Sequence, residues 1–277
     1  MQFHKIIEQR KSIRDFKEVN LESKDIEALM DFAKSVESIE GNISTTFYFV
    51  RDGHNAFKSM VGYAGYYGMP IDAPHYLLLL AEKEGNYKLN AGYMMEQVLV
   101  KAMDMEIGTC WIDIQEEKYK ELKRALKVDG EGEILAIVAL GYPKTNIFGI
   151  EVPPTGRKSI EEFVYGKTWG KLMDLDQLSQ RGLDEVFYYA RYAPSWGNIQ
   201  PWKFIIADCR LILTMYLESE GKELEDHDLE CGIMMLYIEK MMHKQGIQGK
   251  WDLNTKYLDR DEYEIPKNYK MMGWFPL

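Results

Sequence analysis

The chain has 277 residues, of which 46% are hydrophobic and 28% charged, a composition typical of globular proteins with a sizeable core. Its formal net charge of −10 disfavours nonspecific binding to nucleic acid or to an anionic membrane, because the overall field repels polyphosphate. No stretch approaches the roughly 18 apolar residues of a membrane span and the first ten residues show no signal-peptide pattern, so we expect a cytoplasmic protein.

The first motif along the chain is the basic segment 10–16, which follows a short predicted helix. If this segment is extended, alternation of side chains places Arg10, Ser12 and Arg14 on one face. Arginine side chains bind phosphate oxygens in pairs, so this face suits an anionic ligand. A solvated basic turn is the alternative, and the cluster alone does not decide between the two.

Helices and strands then alternate along the chain. Apolar residues at helical spacing predict a helix that follows an N-cap at Ser23 and runs to Ala33, and a second helix over 183–190. Each helix leads into an apolar strand. The predicted strands are 47–50 and 76–80 after the first helix and 203–206 after the second.

An internal repeat relates two parts of the chain. The segment Ala91–Met95 reappears 140 residues later as Cys231–Met235, and Trp111 aligns with Trp251 at the same offset. Both copies predict a long buried helix, and we interpret their methionines as core packing in preference to ligand binding. A predicted strand ends each copy, at 134–143 and at 269–276.

This duplication predicts an α+β fold made of two tandem halves, each with helices and an antiparallel sheet, packed as an internal pseudo-dimer. We place the halves at residues 1–166 and 167–277. The segment from about 146 to 176 joins them as an extended arm. Three cysteines, an odd number without C-x-x-C spacing, argue against a disulfide framework and a structural zinc site.

Three further motifs, together with the opening segment, carry a resemblance to a known family. Segment 10–16 resembles the opening signature of the FMN-dependent nitroreductases, and Ala193–Trp202 resembles their Ala-Pro-Ser-Ser-x-Asn-x-Gln-Pro-Trp loop. Met105–Trp111 resembles the Gly-Leu-Gly-x-x-Trp turn of the family. The closing strand and basic arm are matched by 140–143, Pro153, Pro154 and Arg157. The resemblance spans nearly the whole chain and is greatest with a tandem branch, in which one polypeptide imitates the usual homodimer.

The resemblance implies that FMN binds here and that its phosphate is held by Arg10, Ser12 and Arg157, with Lys11 or Lys158 nearby. Arg14 matches the basic residue that the family places at the N1/C2 carbonyl edge of the flavin. A fixed positive charge at that edge favours reduction, because the edge gains negative charge.

The remaining implied contacts come from two loops. A backbone N–H of Ile107 or Gly108 would point at flavin N5. From the opposite copy, the loop with Pro194, Ser195 and Trp196 would lie along the ring, with Asn198 behind it.

We expect only one such site per chain. The site that would use the second opening motif has Glu161 in the place of Arg14, and like-charge repulsion would oppose flavin reduction there. Its loop, residues 34–42, lacks the Pro-Ser and Gln-Pro elements, and the second copy ends at Leu277 without a closing arm.

The retained site departs from the family pattern at two positions. Trp196 stands where the family often has a second serine; its indole narrows the pocket over the ring or stacks on a flat acceptor, or it is an ordinary interface aromatic. Glu106 replaces the first glycine of the turn, where a positive φ would be strained, and we expect Gly108 to supply the flexibility.

Other candidate sites are weaker. The cluster Asp226–Asp228 with Glu230 suits the N-terminal end of a helix better than a metal site. No serine or cysteine lies beside a plausible base in the sequence, so nucleophilic hydrolysis has no support.

We therefore expect an FMN-dependent oxidoreductase that takes reducing equivalents from NAD(P)H and passes them to a small organic acceptor, such as a nitroaromatic or a quinone, in a ping-pong cycle. The alternative is a flavin- or ligand-binding module with little turnover. Because the chain carries both halves of the family's interface, we expect a monomer. We also expect no metal, no nucleic-acid partner and no association with a membrane.

Overall fold

The computed structural model describes residues 2–65, 67–115, 118–145, 156–217 and 227–277. The chain divides into two compact units, Met1–Val152 and Pro153–Leu277. Each unit contains one four-stranded sheet with helices, which confirms the α+β class and the two halves. Part of the predicted joining arm, including Pro153 and Pro154, lies outside the described residues, as does Asp226.

The sheet of the first unit has the strand order β1-β2-β4-β3, with every neighbouring pair antiparallel. Strand β3 therefore lies at one edge. The elements of this unit are α1 (Phe3–Ile7), α2 (Ser23–Ala33), β1 (Thr45–Val50), α3 (Gly53–Met60), β2 (His75–Ala81), α4 (Tyr87–Asp104), β3 (Gly108–Ile112), α5 (Tyr119–Ala125) and β4 (Glu133–Gly141).

The sheet of the second unit has the order β5-β6-β7-β8. Strand β5 runs parallel to β6, and the other pairs are antiparallel. The elements of this unit are β5 (Val164–Gly166), α6 (Leu175–Ser179), α7 (Asp184–Ala190), β6 (Trp202–Ala207), β7 (Arg210–Tyr216), α8 (Asp228–Lys244) and β8 (Tyr269–Pro276).

The two long helices of the repeat, α4 and α8, are buried on nearly every face. Met95 and Met235, at equivalent positions, are both fully buried, which confirms the interpretation of the methionines as core residues. The strands β2 and β4 are also buried on both faces, and this explains why their sequences are continuous apolar runs without alternation.

The predicted N-cap of α2 was wrong by one residue. Glu22 occupies the N-cap position in an extended conformation, and Ser23 is the first helical residue. Serine at this point looks like a cap in the sequence, but caps and first-turn positions are separated by one residue only, and sequence patterns rarely resolve that difference.

Helix α4 ends in a Schellman motif whose left-handed residue is a glutamate. The Glu106 amide donates to the Met103 carbonyl oxygen (3.0 Å) and the Ile107 amide to that of Ala102 (2.9 Å). Glu106 has φ 57°, whereas Gly108 belongs to β3 and has no positive φ. The expectation that Gly108 supplies the flexibility was therefore wrong, and the strain lies at Glu106.

The end of α8 repeats this geometry with a glycine in the strained position. Gly246 has φ 82° and donates to the His243 carbonyl oxygen (3.1 Å), while the Ile247 amide donates to that of Met242 (3.0 Å). Gly246 lies 140 residues after Glu106, the offset of the repeat. The two halves thus form the same turn with different residues in the left-handed position.

We predict that Glu106→Gly raises the free energy of unfolding by ~1 kcal/mol, because glycine removes the left-handed penalty of a residue with a Cβ atom. The reciprocal change, Gly246→Ala, should lower it by a similar amount. Urea denaturation followed by circular dichroism measures both. Equal or lower stability of Glu106→Gly would show that the turn is not strained.

Two further features concern both units. Within the described ranges, no helix is long and apolar enough to cross a membrane. All three cysteines are described and are free thiols; Cys110 and Cys231 are buried and Cys209 is exposed.

Candidate functional site

The opening segment lies along the edge strand of the first sheet, as an extended chain after α1. The Ile13 amide donates to the Thr109 carbonyl oxygen (2.9 Å), and the Lys17 amide donates to that of Tyr142 (2.8 Å). Phe16 forms an isolated bridge with Pro143. The segment is thus bound at both ends to β3 and to the end of β4.

Two paired glycines permit this close approach. Gly108 of β3 lies opposite Gly141 of β4. A Cβ atom on Gly108 would lie 3.0 Å from Ile13 Cγ1, and one on Gly141 would lie 3.0 Å from Phe16 Cδ1. Both distances are shorter than ordinary van der Waals contact, so the buried side chains Ile13 and Phe16 occupy the space that larger residues would fill.

Ile13 is buried and its neighbours Ser12 and Arg14 are more exposed, as the alternation predicts, but Phe16 is also buried although it has the parity of Arg14, so the alternation does not extend to that residue. Arg10, Ser12 and Arg14 all act on the Cys110 thiol of β3. Burial raises the pKa of Cys110, and the charges of Arg14 and Arg10 and a hydrogen bond with Ser12 oppose that rise. The structure therefore brings these three predicted residues together. Arg14 itself is exposed, and Lys11 is partly buried.

A buried carboxylate, which the sequence analysis missed, lies beside the first of these arginines. Glu96 of α4 is fully buried, and its Oε1 accepts from Arg10 Nε at 3.2 Å. Its Oε2 accepts from Trp111 Nε1 at 2.9 Å. The Arg10 side chain is only 6% exposed. The sequence offered one signal for this contact, a glutamate within a helix predicted to be buried, because charged residues are almost never fully buried without a partner.

The turn after α4 presents its amides in different directions. The Ile107 amide is already used in the Schellman motif. Because the Thr109 carbonyl faces Ile13, and the amide and carbonyl of a strand residue share one edge, the Thr109 amide faces the opening segment and that of Gly108 faces β4. Since the amides of Ile107 and Gly108 face other parts of the structure, the Thr109 amide is a further candidate for the predicted contact with flavin N5.

In the second unit, the loop 193–202 has an unusual backbone. Gly197, Asn198 and Gln200 have φ of 52°, 59° and 50°. Left-handed conformations of residues with a Cβ atom are strained and persist only where the surroundings hold them. Such strain is often found at functional sites.

The second copy of the opening motif holds this loop. Lys158 Nζ donates to the carbonyl oxygens of Ile199 (2.9 Å) and Gln200 (2.8 Å), and the Lys158 amide donates to Gln200 Oε1 (2.9 Å). Burial lowers the pKa of the Lys158 ammonium group. The Gln200 side chain also donates to the Gly156 carbonyl oxygen (3.2 Å), so hydrogen bonds from side chains of both segments join the loop to residues 156–158. We call these contacts the Lys158 clasp.

Arg157 and Asn198 take part in the same arrangement. Arg157 Nη1 donates to the Ala193 carbonyl oxygen at the start of the loop (2.8 Å). Asn198 Nδ2 donates to the Gly156 carbonyl oxygen (2.8 Å). In this structure Arg157 therefore binds backbone oxygens of the loop, and its contact with a phosphate remains a prediction.

The Pro-Ser part of the loop exposes an aromatic ring. The Trp196 side chain is 50% exposed, while its amide donates to Glu230 Oε1 of α8 (3.2 Å). Ser195 Oγ accepts from the Gln200 amide (3.0 Å), and Pro194 is partly buried. These contacts fix the loop backbone and leave both interpretations of Trp196 open.

The second opening motif has a conformation different from the first. Ser159 caps a short 3-10 helix, Ile160–Glu162, in a capping box in which the Ser159 amide donates to Glu162 Oε2 (2.6 Å). Ser12, its counterpart in the first half, belongs to the extended segment instead. Glu161 thus belongs to a helical turn, whereas Arg14 belongs to an extended segment.

The acids near the start of α8 have structural partners, as their predicted position at a helix N-terminus implies. Asp228 is the first residue of α8 and lies 3.5 Å from Lys270 Nζ, and Glu230 binds the Trp196 amide. Among the described residues, no group of three or more histidine, cysteine or acidic side chains could hold a metal ion.

Comparison with known proteins assigns the chain to a class defined by this α+β architecture. The crystal structure of a protein described as a "putative nitroreductase" from Thermotoga maritima matches 99% of this chain and 93% of its own, with 16% identity and a TM-score of 0.61. The two proteins share a fold. The family profile "Putative TM nitroreductase" matches residues 2–241, and the chain belongs to this nitroreductase family.

Other solved structures match smaller parts of the chain. A "Putative NADH Oxidase" from Clostridium acetobutylicum matches 51% of this chain and 89% of its own, with 25% identity and a TM-score of 0.44. An "FMN-dependent Nitroreductase" from Clostridium difficile matches 51% and 87%, with 21% identity and a TM-score of 0.44. No curated protein matches significantly.

We predict that Lys158→Met loosens the loop without unfolding the protein. Loss of two hydrogen bonds from a charged donor should cost about 1–2 kcal/mol locally, which corresponds to a roughly 5- to 30-fold faster hydrogen exchange of the Gln200 amide. The matched control is Lys267→Met, at an exposed lysine of the same unit. Unchanged exchange at Gln200 in Lys158→Met would show that the clasp does not hold the loop.

Proposed function

We propose that the protein is an FMN-dependent oxidoreductase that passes reducing equivalents from NAD(P)H to a small organic acceptor, such as a nitroaromatic or a quinone, by a ping-pong mechanism. The observation that carries this proposal is the extended segment that holds Arg10, Ser12 and Arg14 along the edge strand β3, in a chain that belongs to a nitroreductase family. FMN, when bound, supplies the hydride-accepting and electron-donating chemistry.

The described residues of the first unit fit a phosphorylated flavin. A protein with a net charge of −10 needs a local basic patch to attract an anion, and the opening segment supplies one. Gly108 and Gly141 leave room for that segment to lie against the sheet. Arg14 is exposed and can contact a ligand, whereas the charge of Arg10 is partly balanced by Glu96.

The roles proposed for individual residues follow the resemblance and the contacts above. Arg14 stabilises negative charge on the flavin, and Ser12 with the neighbouring basic residues binds the phosphate. From the resemblance we propose that the Pro-Ser loop supplies further contacts to the ring. The proposed FMN contacts are Arg10, Lys11, Ser12, Arg14, Ile107, Gly108, Arg157, Pro194, Ser195, Trp196 and Asn198.

Anaerobic mixing of the FMN-loaded protein with NADH or NADPH tests the proposal. Bleaching of the flavin absorbance with either donor, followed by its return on addition of a quinone, is the expected result. Persistent yellow colour with both donors would favour the alternative, a flavin- or ligand-binding module with little turnover. The exposed Trp196 ring is the feature that could block a donor.

We predict that Arg14→Gln lowers the midpoint potential of the bound flavin by about 20–45 mV, which corresponds to ~1–2 kcal/mol for a two-electron couple. The sign follows because the variant loses a positive charge that favours the reduced, more negative flavin. Spectroelectrochemical titration measures the potential. Arg124→Gln, at an exposed arginine of α5, is the control. A potential that rises or stays constant in Arg14→Gln would contradict the role of Arg14.

We also propose that the chain works as a monomer, with its two halves taking the places of two subunits. Sedimentation equilibrium at several concentrations tests this, and an obligate dimer would contradict it.

A further inference from the structure

We infer that Glu96 is a positioning residue of the FMN site, which fixes the Arg10 guanidinium group for the phosphate. This inference rests on the proposed function and adds a residue that neither the motifs nor the family resemblance indicated. Glu96 would not touch the cofactor, and would act through Arg10.

The contacts of Glu96 join the two segments that make up the first-unit site. One carboxylate oxygen binds Arg10 of the opening segment, and the other binds the Trp111 indole of β3. Glu96 comes from α4, which is buried in the core of the unit. Three chain segments therefore meet at one fully buried carboxylate.

The internal duplication provides an equivalent position in the second half, where the acid is absent. Leu236 of α8 lies 140 residues after Glu96, and Trp251 lies at the same offset from Trp111. The Trp251 indole donates to the Met235 carbonyl oxygen (2.9 Å), so a tryptophan here is held without a carboxylate. Support of the tryptophan alone thus does not require Glu96.

In the second half, the arginine of the opening motif binds a different segment of the chain. Arg157, the counterpart of Arg10, donates to the Ala193 carbonyl oxygen. The acid is therefore present in the half whose opening motif is extended and basic, and is replaced by leucine in the half whose motif is helical and contains Glu161. This pattern associates Glu96 with the arginine and its ligand.

A buried carboxylate is costly unless its oxygens are satisfied, and an arginine with one edge bound loses much of its conformational freedom. Fixing the guanidinium before the ligand arrives reduces the entropic cost of binding. The expected consequence is tighter binding of ligands with a phosphate, and little effect on ligands without one.

The test compares FMN with riboflavin, which has the same ring and lacks the phosphate. Dissociation constants are measured by quenching of flavin fluorescence in wild type, Glu96→Gln, Arg10→Gln and the double variant. In Glu96→Gln, FMN binding should weaken by about 10-fold while riboflavin binding changes by less than 3-fold, so that the preference for the phosphate falls. In the double variant, FMN should bind no more weakly than in Arg10→Gln, because Glu96 acts through Arg10.

The matched control is Glu239→Gln, at a buried glutamate of α8, which should leave the ratio of the two dissociation constants unchanged. Equal weakening for both flavins in Glu96→Gln, an unchanged ratio, or additive effects in the double variant would overturn the inference. If Glu96→Gln does not fold, Trp111→Phe takes its place: a 2- to 5-fold loss of phosphate preference supports the inference, and an unchanged preference overturns it.

Failure of the proposed function gives a different result. If FMN is not the cofactor, wild-type protein binds neither flavin, and if the protein binds flavin without turnover, NADH and NADPH do not bleach it. Failure of the Glu96 inference alone leaves wild-type binding, its preference for FMN and the bleaching intact.

Discussion

The structure of the candidate site depends on the close packing of the opening segment against the glycine pair Gly108 and Gly141. Ile13 and Phe16 occupy the space above these glycines, and the Ile13 amide binds the Thr109 carbonyl oxygen. Because Ile13 is buried against β3, the adjacent residue Arg14 is directed to the other face of the extended segment and is exposed. A Cβ atom at Gly108 would crowd Ile13, and one at Gly141 would crowd Phe16 and Pro74.

The two halves keep one scaffold and differ in the residues that carry charge. Both have a long buried helix that ends in a Schellman motif, followed by a tryptophan held by that helix. The first half has Glu96 and Glu106 where the second has Leu236 and Gly246. In the second half the basic motif has become part of the Lys158 clasp, and so it supports a strained loop. We interpret this as a division of roles between copies.

Much of the fold could be predicted from the sequence, because long apolar patterns leave few alternatives. Helices α4 and α8 and strands β2, β4 and β6 were predicted in this way. Strand β7 was missed, since its polar ends hide a short apolar run. The capping box at Ser159 and Glu162 has a recognisable Ser-x-x-Glu pattern that was overlooked. The partners of Glu96 and Lys158 lie far away in the sequence, so no local pattern could reveal them.

We expect the chain to hold one FMN, in the site that retains the basic opening segment. The most direct test is the ratio of flavin to protein after saturation with FMN and removal of the unbound cofactor, determined from the visible absorbance and from amino-acid analysis. One flavin per chain is the expected result. A ratio of zero would contradict the assignment of FMN, and a ratio of two would contradict the loss of the second site.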